Sequence, residues 1–508
     1  MRSDEKAVRA ITGVTAVMLA AKLLAVLRNI LQARAFGAGP EMDLFTLANN
    51  YSVSLFTTVA HAFCVAAVPI FSQGLRRSRE EGFAAANRLI STAMTCCLGL
   101  TLLLEGLNLT GLPALLAGEG APLFRRCFGA LLPALPVILF TYLLLALLQS
   151  LEHYALQGSL SLLYSLALCA VLALAGDRLS LPGFALLTAV GWLLQLCMLL
   201  PAAKRERYRF RFTPDFRMPA LRDFARTGLT TVVTSAAFLF CYLLNSLFAA
   251  GFGSGAVSAF YYADKLYEPL TTTLIYSVSI VMFPRFSQKQ AQLPDKEYRQ
   301  YVVYVVKNTL LLILPVSLLF AVFGTPVIRV LFEGGSFTPE DTLLTGGIFS
   351  MYALGMAGFF MLDLLSKAYF AISRRLTPLL VSLGAIGLCA VSGTVCRAVW
   401  PREPRLLAAG TSISLLAGGL VLYVRFARQA GLRLPGKQLF WGTALSLAMG
   451  AGVWALGARL IPAGCSKPML VLLCGGLGAL GLLCYLLLMG EMVPTGEILR
   501  ALLRRKRS

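Results

Sequence analysis

The side chains best placed to do chemistry in this sequence are charges where charge is least expected. Lys22 and Arg28 interrupt an apolar stretch near the N-terminus, Asp43 opens the next one, and His61 lies deeper within it. Farther along, Asp264, Lys265 and Glu268 share about one turn of a hydrophobic run, and Asp363 and Lys367 sit in another. On a helix, Lys22 and Arg28 differ by roughly 120° in azimuth and about 9 Å along the axis, so they line one broad face without stacking. A cation at mid-bilayer costs about 2.5–3.5 kcal/mol on insertion scales, and such residues normally face a cavity and carry a role. Cations from several helices directed at a common hollow would bind an anion, and a diphosphate suits them in charge and hydrogen bonding. Lys22, Arg28 and Lys265 are the first candidates for that contact, with Asp43 and Asp264 as the acidic members of the site.

Plainer explanations fit the other charges. Arg34, Arg125 and Arg126 lie near the ends of apolar runs, where long stems reach the interface cheaply. Asp363 and Lys367 have the i,i+4 spacing of a self-neutralising pair. His61 reads as a packed or hydrogen-bonded polar residue more readily than as a proton carrier. Asp43 has Arg28 and Arg34 as possible ion-pair partners. With only His61 and His153 in the chain, no Cys/His metal spacing occurs, and the twelve cysteines fall mostly inside apolar runs, where they behave as small hydrophobes. No paired catalytic carboxylates or nucleophile–base arrangement stands out. The expectation is a non-enzyme that uses no cofactor and no metal.

The elements that must position these charges are membrane helices. Charged residues make up 14% of the chain, against about 25% in soluble domains, and the mean hydropathy is +0.74. Non-alternating apolar runs of about 20 residues recur from end to end, which favours helices over a barrel. About fourteen spans are expected, near 8–36, 43–73, 82–107, 122–149, 154–176, 179–202, 221–250, 256–287, 298–324, 339–371, 376–398, 405–427, 438–461 and 468–490. Arg2 and Lys6 ahead of Ala10–Ala21 mimic a signal peptide, but the residues that follow belong to an internal repeat, so the stretch is read as the first span.

The net charge of +21 does not point to nucleic acid, because the cations sit in short clusters between spans. These include Arg76, Arg77 and Arg79; Lys204, Arg205, Arg207, Arg209 and Arg211; Lys289, Lys296 and Arg299; Arg374 and Arg375; and the tail Arg504–Arg507. They occupy alternate loops, so the positive-inside rule puts both termini in the cytoplasm of a bacterial inner-membrane protein; the loop holding Arg397, Arg402 and Arg405 dissents.

The chain also repeats itself. Asn29–Phe45 aligns without gaps on Asn245–Tyr261, superposing Phe36 and Gly37 on Phe252 and Gly253; after one deletion Val68–Gln73 matches Phe283–Gln288. Six spans separate the copies, so both run the same way through the membrane, and transporters place substrate between such repeats. The expected organisation is an N-lobe at 1–202, a basic cytoplasmic linker at 203–220, a C-lobe at 221–427, two extra helices at 428–490 and a basic cytoplasmic tail at 491–508.

Several of these segments together resemble the MurJ/MviN lipid II flippases. The likeness is carried by Lys22-Leu-Leu-Ala-Val-Leu-Arg28, Ala35-Phe-Gly-Ala-Gly39 and Asp43, and by Tyr261-Tyr-Ala-Asp-Lys-Leu-Tyr267 with Phe283-Pro284. Val330-Leu-Phe-Glu-Gly-Gly-Ser-Phe-Thr338, Leu365-Ser-Lys-Ala-Tyr-Phe-Ala371 and Thr377-Pro378 continue it. The resemblance implies a transporter of the multidrug/oligosaccharidyl-lipid/polysaccharide exporter superfamily. It would carry an undecaprenyl-diphosphate-linked cell-wall precursor from the inner to the outer leaflet, with membrane lipids and cell-wall synthesis proteins as partners. It also implies that Arg28 and Asp43 match functional residues, that Lys22 and Lys265 stand where the family usually has Arg, and that the last two helices form a groove for the lipid tail. Lysine keeps the charge but loses the bidentate fork.

Two departures matter. The family's second-helix Arg is absent, with Phe56 or a neighbour in its place, and Ala60-His-Ala-Phe63 replaces an Ala-Glu-Gly-Ala-Phe stretch. Span eleven offers no acidic residue for a sodium site. The competing expectations are export of another lipid-linked oligosaccharide, of O-antigen or capsule type, and a non-transporting scaffold for cell-envelope synthesis.

Overall fold

The computed structural model describes residues 20–111, 120–153, 156–235, 237–372, 374, 376–431, 437–462 and 464–490. The start of the first expected span, the linker residues 432–436 and the C-terminal tail lie outside the described residues. Helices account for nearly everything described, with one isolated antiparallel bridge between Gly334 and Phe337.

Among the described residues twenty α-helices follow one another: α1 (20–36), α2 (Pro40–Asn49), α3 (Leu55–Arg77), α4 (Arg79–Thr110), α5 (Ala121–Leu131), α6 (Ala134–Ser150), α7 (Leu156–Ser159), α8 (Leu162–Ala175), α9 (Leu181–Arg205) and α10 (Ala220–Ser235). Then come α11 (Ala237–Ala249), α12 (Ala256–Gln292), α13 (Asp295–Val322), α14 (Gly324–Leu331), α15 (Pro339–Leu354), α16 (Met356–Ala371), α17 (Leu376–Val399), α18 (Arg405–Gln429), α19 (Lys437–Leu460) and α20 (Lys467–Gly490). Among the described residues, ten helical segments are long and apolar enough to cross a membrane, and eleven if α15 and α16, bent by 41° at Gly355, form one span. The other three expected spans correspond to α1, the α10–α11 pair and the charge-bearing α12, so the count is consistent with fourteen. The chain is therefore an all-α polytopic membrane protein.

Local sequence explains the helix ends. Pro40 opens α2 with Glu41 and Asp43 in its first turn, as a helix N-terminus favours. Ser78 and Ser180 cap α4 and α9 by accepting from the amides of Glu81 and Gly183. Between α2 and α3 the backbone widens into a π-helical turn, Asn50–Ser54, without interrupting the 38-residue span. Such turns are rare and concentrate at functional sites.

The chain divides into two compact units. The first holds residues 1–261 with 334–338, the second 262–333 with 339–508. In the first, α3 is central and packs on α4, α6 and α10; α6 is buried almost all round, with Leu143 to Leu148 near zero exposure. In the second, α18 packs on α15, α16 and α17, while α13 packs on α16 and α19. Close approach there relies on small residues: Gly358 of α16 lies against the backbone of Leu415 and Leu416, and Gly419 against the carbonyl of Gly358.

The segment after α9 is laid along a helix. Between Glu206 and Arg217 the chain runs extended beside α4. The amides of Arg211, Thr213 and Asp215 donate to Asn87 Oδ1 (3.2 Å), Ser91 Oγ (2.9 Å) and Thr92 Oγ1 (2.8 Å), and Tyr208 Oη donates to Asn87 Oδ1 (2.7 Å). Every second amide finds a helix side chain, and Arg207, Arg209 and Arg211 are left exposed.

Candidate functional site

The repeated turn is the place to begin. Phe36–Gly39 joins α1 to α2, and Phe252–Gly255 joins α11 to α12, each using left-handed glycines: Gly37 at φ 64°, Gly253 at 116° and Gly255 at 83°. Asn29 and Asn245, at equivalent positions of the two copies, are both buried. A third turn, Gly334–Phe337, joins them in the first unit. Ser336 donates its amide to the Arg34 carbonyl (2.8 Å) and its hydroxyl to the Ala35 carbonyl (3.2 Å). The glycines permit this interlocking. A Cβ on Gly37 would meet Ser336 O at 2.4 Å, one on Gly255 would meet Ala38 O at 2.4 Å, and one on Gly335 would meet Arg34 O at 2.4 Å.

Asp43 fastens the turns. Only 8% exposed, it accepts from the amide of Gly255 through Oδ2 (2.7 Å) and from the amide of Ser258 through Oδ1 (2.6 Å), and the Ser258 hydroxyl donates to the same Oδ1. Gly255 and Ser258 are the residue before α12 and its third residue, so Asp43 does from 212–215 positions away what a local capping residue does. Its charge also meets the positive end of the α12 dipole. Both carboxylate oxygens are engaged by the start of α12.

Arg28 lies in α1 with its guanidinium 4.9 Å from the centre of the Tyr164 ring on α8, and it donates to Asn29 Oδ1 at 3.1 Å. A guanidinium on an aromatic face remains a full cation with donors to spare. Lys22 is exposed on the same helix. In the second unit, Lys265 Nζ lies 3.7 Å from both Asp264 Oδ2 and Glu268 Oε2. Asp264 is buried at 6% and Glu268 mostly exposed, so Lys265 sits between an inner and an outer carboxylate. Asp363 and Lys367 form the expected pair at 2.8 Å. Lys22, Arg28 and Asp43 thus belong to one compact unit and Asp264 and Lys265 to the other.

His61 packs edge-on against Tyr142 of α6 (5.8 Å between centroids), and its Nε2 is 3.4 Å from Gln157 Nε2. His61 lies in the stretch Ala60–Phe63, where the chain departs from the family pattern. About three turns earlier, Asn50 Nδ2 reaches Tyr242 Oη and Ser246 Oγ of α11, each at 3.2 Å, and Tyr51 Oη donates to the Leu243 carbonyl (3.3 Å). The π-helical turn is what aims Asn50 at α11. Periodicity in the sequence carries no sign of this polar contact; the Asn49-Asn50 pair in an apolar run was the available signal.

At the opposite ends of these helices, three segments meet on Glu206. Its Oε1 is 2.8 Å from His153 Nε2, and its Oε2 is paired with the Arg79 guanidinium. The His153 hydrogen bond, more than the Arg79 charge, holds the Glu206 carboxyl below the usual carboxylate range. Arg79, His153 and Glu206 lie in the loops expected on one face, and the three glycine turns are those expected on the other.

The second unit contains an apolar groove of about 370 Å³. Leu318 and Val322 of α13, Met351 and Leu354 of α15, and Leu447, Gly450 and Trp454 of α19 line it. The sequence pointed to the last two helices for such a surface; here α19 supplies one wall and α13 and α15 supply the others.

The chain is similar to proteins of known family and fold. A lipid II flippase MurJ from Burkholderia cenocepacia is 25% identical over 76% of this chain and 78% of its own length. A probable lipid II flippase MurJ from Vibrio cholerae is 25% identical over 94% and 95%. A solved structure of lipid II flippase MurJ in an inward closed conformation superposes with a TM-score of 0.77 at 19% identity, covering 94% of this chain and 99% of that one. An inward-facing multidrug resistance MATE transporter of the MOP superfamily shares the fold at a TM-score of 0.65 and 14% identity, covering 81% and 94%. The family model described as lipid II flippase MurJ matches residues 32–473, so the chain belongs to the lipid II flippase MurJ family.

Proposed function

We propose that this protein moves lipid II, an undecaprenyl-diphosphate-linked peptidoglycan precursor, from the inner to the outer leaflet of the bacterial inner membrane by alternating access. It acts as a transporter and not as an enzyme. Both termini face the cytoplasm, a placement that the alternation of basic loops supports. The two repeats, with lobes at 1–202 and 221–427, rock about the bound head group. Arg28, Lys22 and Lys265 take the diphosphate, Lys265 exchanging its loose carboxylate contacts for the substrate. The α13–α15–α19 groove takes part of the polyprenyl tail, which the apolar lining suits.

The observation that carries the transport mechanism is the Asp43 clasp. A closure built from one carboxylate and a helix terminus is polar and local, so it can open at moderate cost and reform, unlike a packed apolar core. In this reading it is the outer gate, and Glu206 with Arg79 and His153 fastens the cytoplasmic ends of the first unit.

Export of a different lipid-linked oligosaccharide would use the same diphosphate contacts, and the missing second-span Arg is the feature that keeps that reading in view. Complementation of a strain conditionally depleted of its own lipid II flippase separates the two. Rescue of growth by this chain supports lipid II transport. Failure to rescue, with the chain present in the membrane at normal level, contradicts it. A non-transporting scaffold would not rescue with or without Arg28, whereas a flippase rescues and loses rescue with Arg28→Ala.

A further inference from the structure

Arg299 is 6% exposed, although its place in the sequence is that of a loop cation. It lies in the second turn of α13, its NH1 donates to Gln429 Oε1 (2.7 Å), and its guanidinium stands 5.1 Å from the centre of the Phe426 ring on α18. Arginine is seldom this buried without a carboxylate, because an unpaired charge taken out of water is costly. Among the described residues Arg299 forms no ion pair. One amide oxygen and one aromatic face satisfy a minority of its five donors.

The surroundings add charge of the same sign. Phe426 also meets the ring of Tyr369 of α16 edge-on, at 5.0 Å. Tyr369 is 1% exposed and its hydroxyl has no hydrogen-bond partner. Arg374, which follows α16, and Arg425, the neighbour of Phe426 on α18, are exposed at the same helix ends. Arg374 is held by the hydrogen bond from its amide to the Tyr369 carbonyl (3.0 Å). A buried hydroxyl donor and three guanidinium groups therefore share one end of α13, α16 and α18, and none of the three forms an ion pair with a carboxylate among the described residues. A buried polar group without a partner calls for an explanation, and a ligand that accepts hydrogen bonds and carries negative charge explains both anomalies together.

We infer that the end of the second unit where Arg299, Arg374, Arg425 and Tyr369 meet is a binding site for a phosphate group, separate from the diphosphate contacts assigned to Arg28, Lys22 and Lys265. Phosphate fits because its oxygens accept from several guanidinium groups and from a phenol at once. The helix ends concerned lie among the basic loops, where an anionic phospholipid offers its headgroup and the aqueous phase offers free phosphate. The inference does not depend on the transported substrate.

The test uses the full chain purified in a neutral detergent, with thermal unfolding followed at constant ionic strength. Phosphatidylglycerol, phosphatidylcholine, sodium phosphate and sodium chloride are titrated separately. A saturable rise in Tm with phosphatidylglycerol but not with phosphatidylcholine or sodium phosphate assigns the site to a lipid headgroup. A saturable rise with sodium phosphate that sodium chloride does not reproduce assigns it to the free anion. In either case Arg299→Gln should raise the half-saturating concentration by about tenfold or more and Tyr369→Phe by about threefold, from lost charge-assisted and neutral hydrogen bonds. The exposed Arg207→Gln should leave it unchanged. Should Arg299→Gln fail to fold, Tyr369→Phe carries the test, since it removes a single oxygen. The inference is overturned if the wild type responds saturably to neither phosphate probe, if chloride matches phosphate, or if both variants bind as the wild type does.

Discussion

Replacing Asp43 by Ala should free the start of α12 while leaving the rest of the first unit folded. The carboxylate accepts from the Gly255 amide at 2.7 Å and from the Ser258 amide at 2.6 Å, and takes the Ser258 hydroxyl as well. Hydrogen bonds to a charged acceptor contribute about 1.5–3 kcal/mol each, and a buried amide left without its acceptor costs about 1–3 kcal/mol. The three contacts share one carboxylate and do not add fully, so about 3–4 kcal/mol is a reasonable total for opening the clasp. At 1.4 kcal/mol per factor of ten, the amides at 255 and 258 should exchange roughly 10²- to 10³-fold faster with solvent deuterium. Ser258→Ala, which loses only the hydroxyl, should accelerate exchange by less than about tenfold. Hydrogen–deuterium exchange read by mass spectrometry on peptides covering 252–262 measures this directly. The reasoning fails if Asp43→Ala leaves exchange over 255–258 unchanged, or if exchange rises equally along α3 and α6, which would mean general unfolding.

Other consequences follow from particular contacts. Gly37→Ala costs about 1–2 kcal/mol for a left-handed alanine and drives its Cβ against Ser336 O, whereas Gly111→Ala, also at a left-handed position (φ 78°), meets nothing within 4 Å. Tm should therefore fall by several degrees more for Gly37→Ala than for Gly111→Ala. Glu206 titrates below the usual carboxylate range in the folded protein, so its stabilising effect is complete above about pH 4.3 and is lost as pH falls through the lowered folded value. The Tm difference between wild type and Glu206→Gln should shrink as pH falls below about 4.3. Gly450→Leu should fit its fold, since a Cβ there makes ordinary contact with Leu318 at 3.5 Å, but it fills the apolar groove. Its affinity for full-length lipid II should drop by about tenfold, and affinity for a tail-less head-group analogue should be unchanged.

Much of this molecule can be read from its residues because the bilayer permits so few backbones. Helical spans and alternating basic loops need only composition and spacing, and the repeated Phe-Gly-x-Gly turns announce themselves because only glycine tolerates such approach. Asp43 was legible as a residue out of place but not in its role. Its partners are more than 210 positions away, and no local pattern pairs a carboxylate with a distant helix terminus. The segment after α9 looked like a basic tether because its arginines dominate its composition, while the hydrogen bonds that fix it involve its backbone and the small polar side chains Asn87, Ser91 and Thr92. Arg299 was misleading for a related reason. A cation beside a span normally reports topology, and burial by Phe426 and Tyr369 is a property of tertiary packing alone. The division of charge between Arg28, stacked on Tyr164, and Lys265, set between two carboxylates, likewise depends on neighbours that spacing does not specify.

The central claim is that helix-borne cations of this chain grip the diphosphate of lipid II on its way across the membrane. The most direct measurement is the fraction of lipid II reaching the outer leaflet, read with a membrane-impermeant probe in cells whose own flippase has been removed. Wild-type protein should restore externalisation, and Arg28→Ala, Lys22→Ala and Lys265→Ala should each reduce it severely at equal membrane abundance. Externalisation at the wild-type rate by Arg28→Ala, or none by the wild type, would contradict the account.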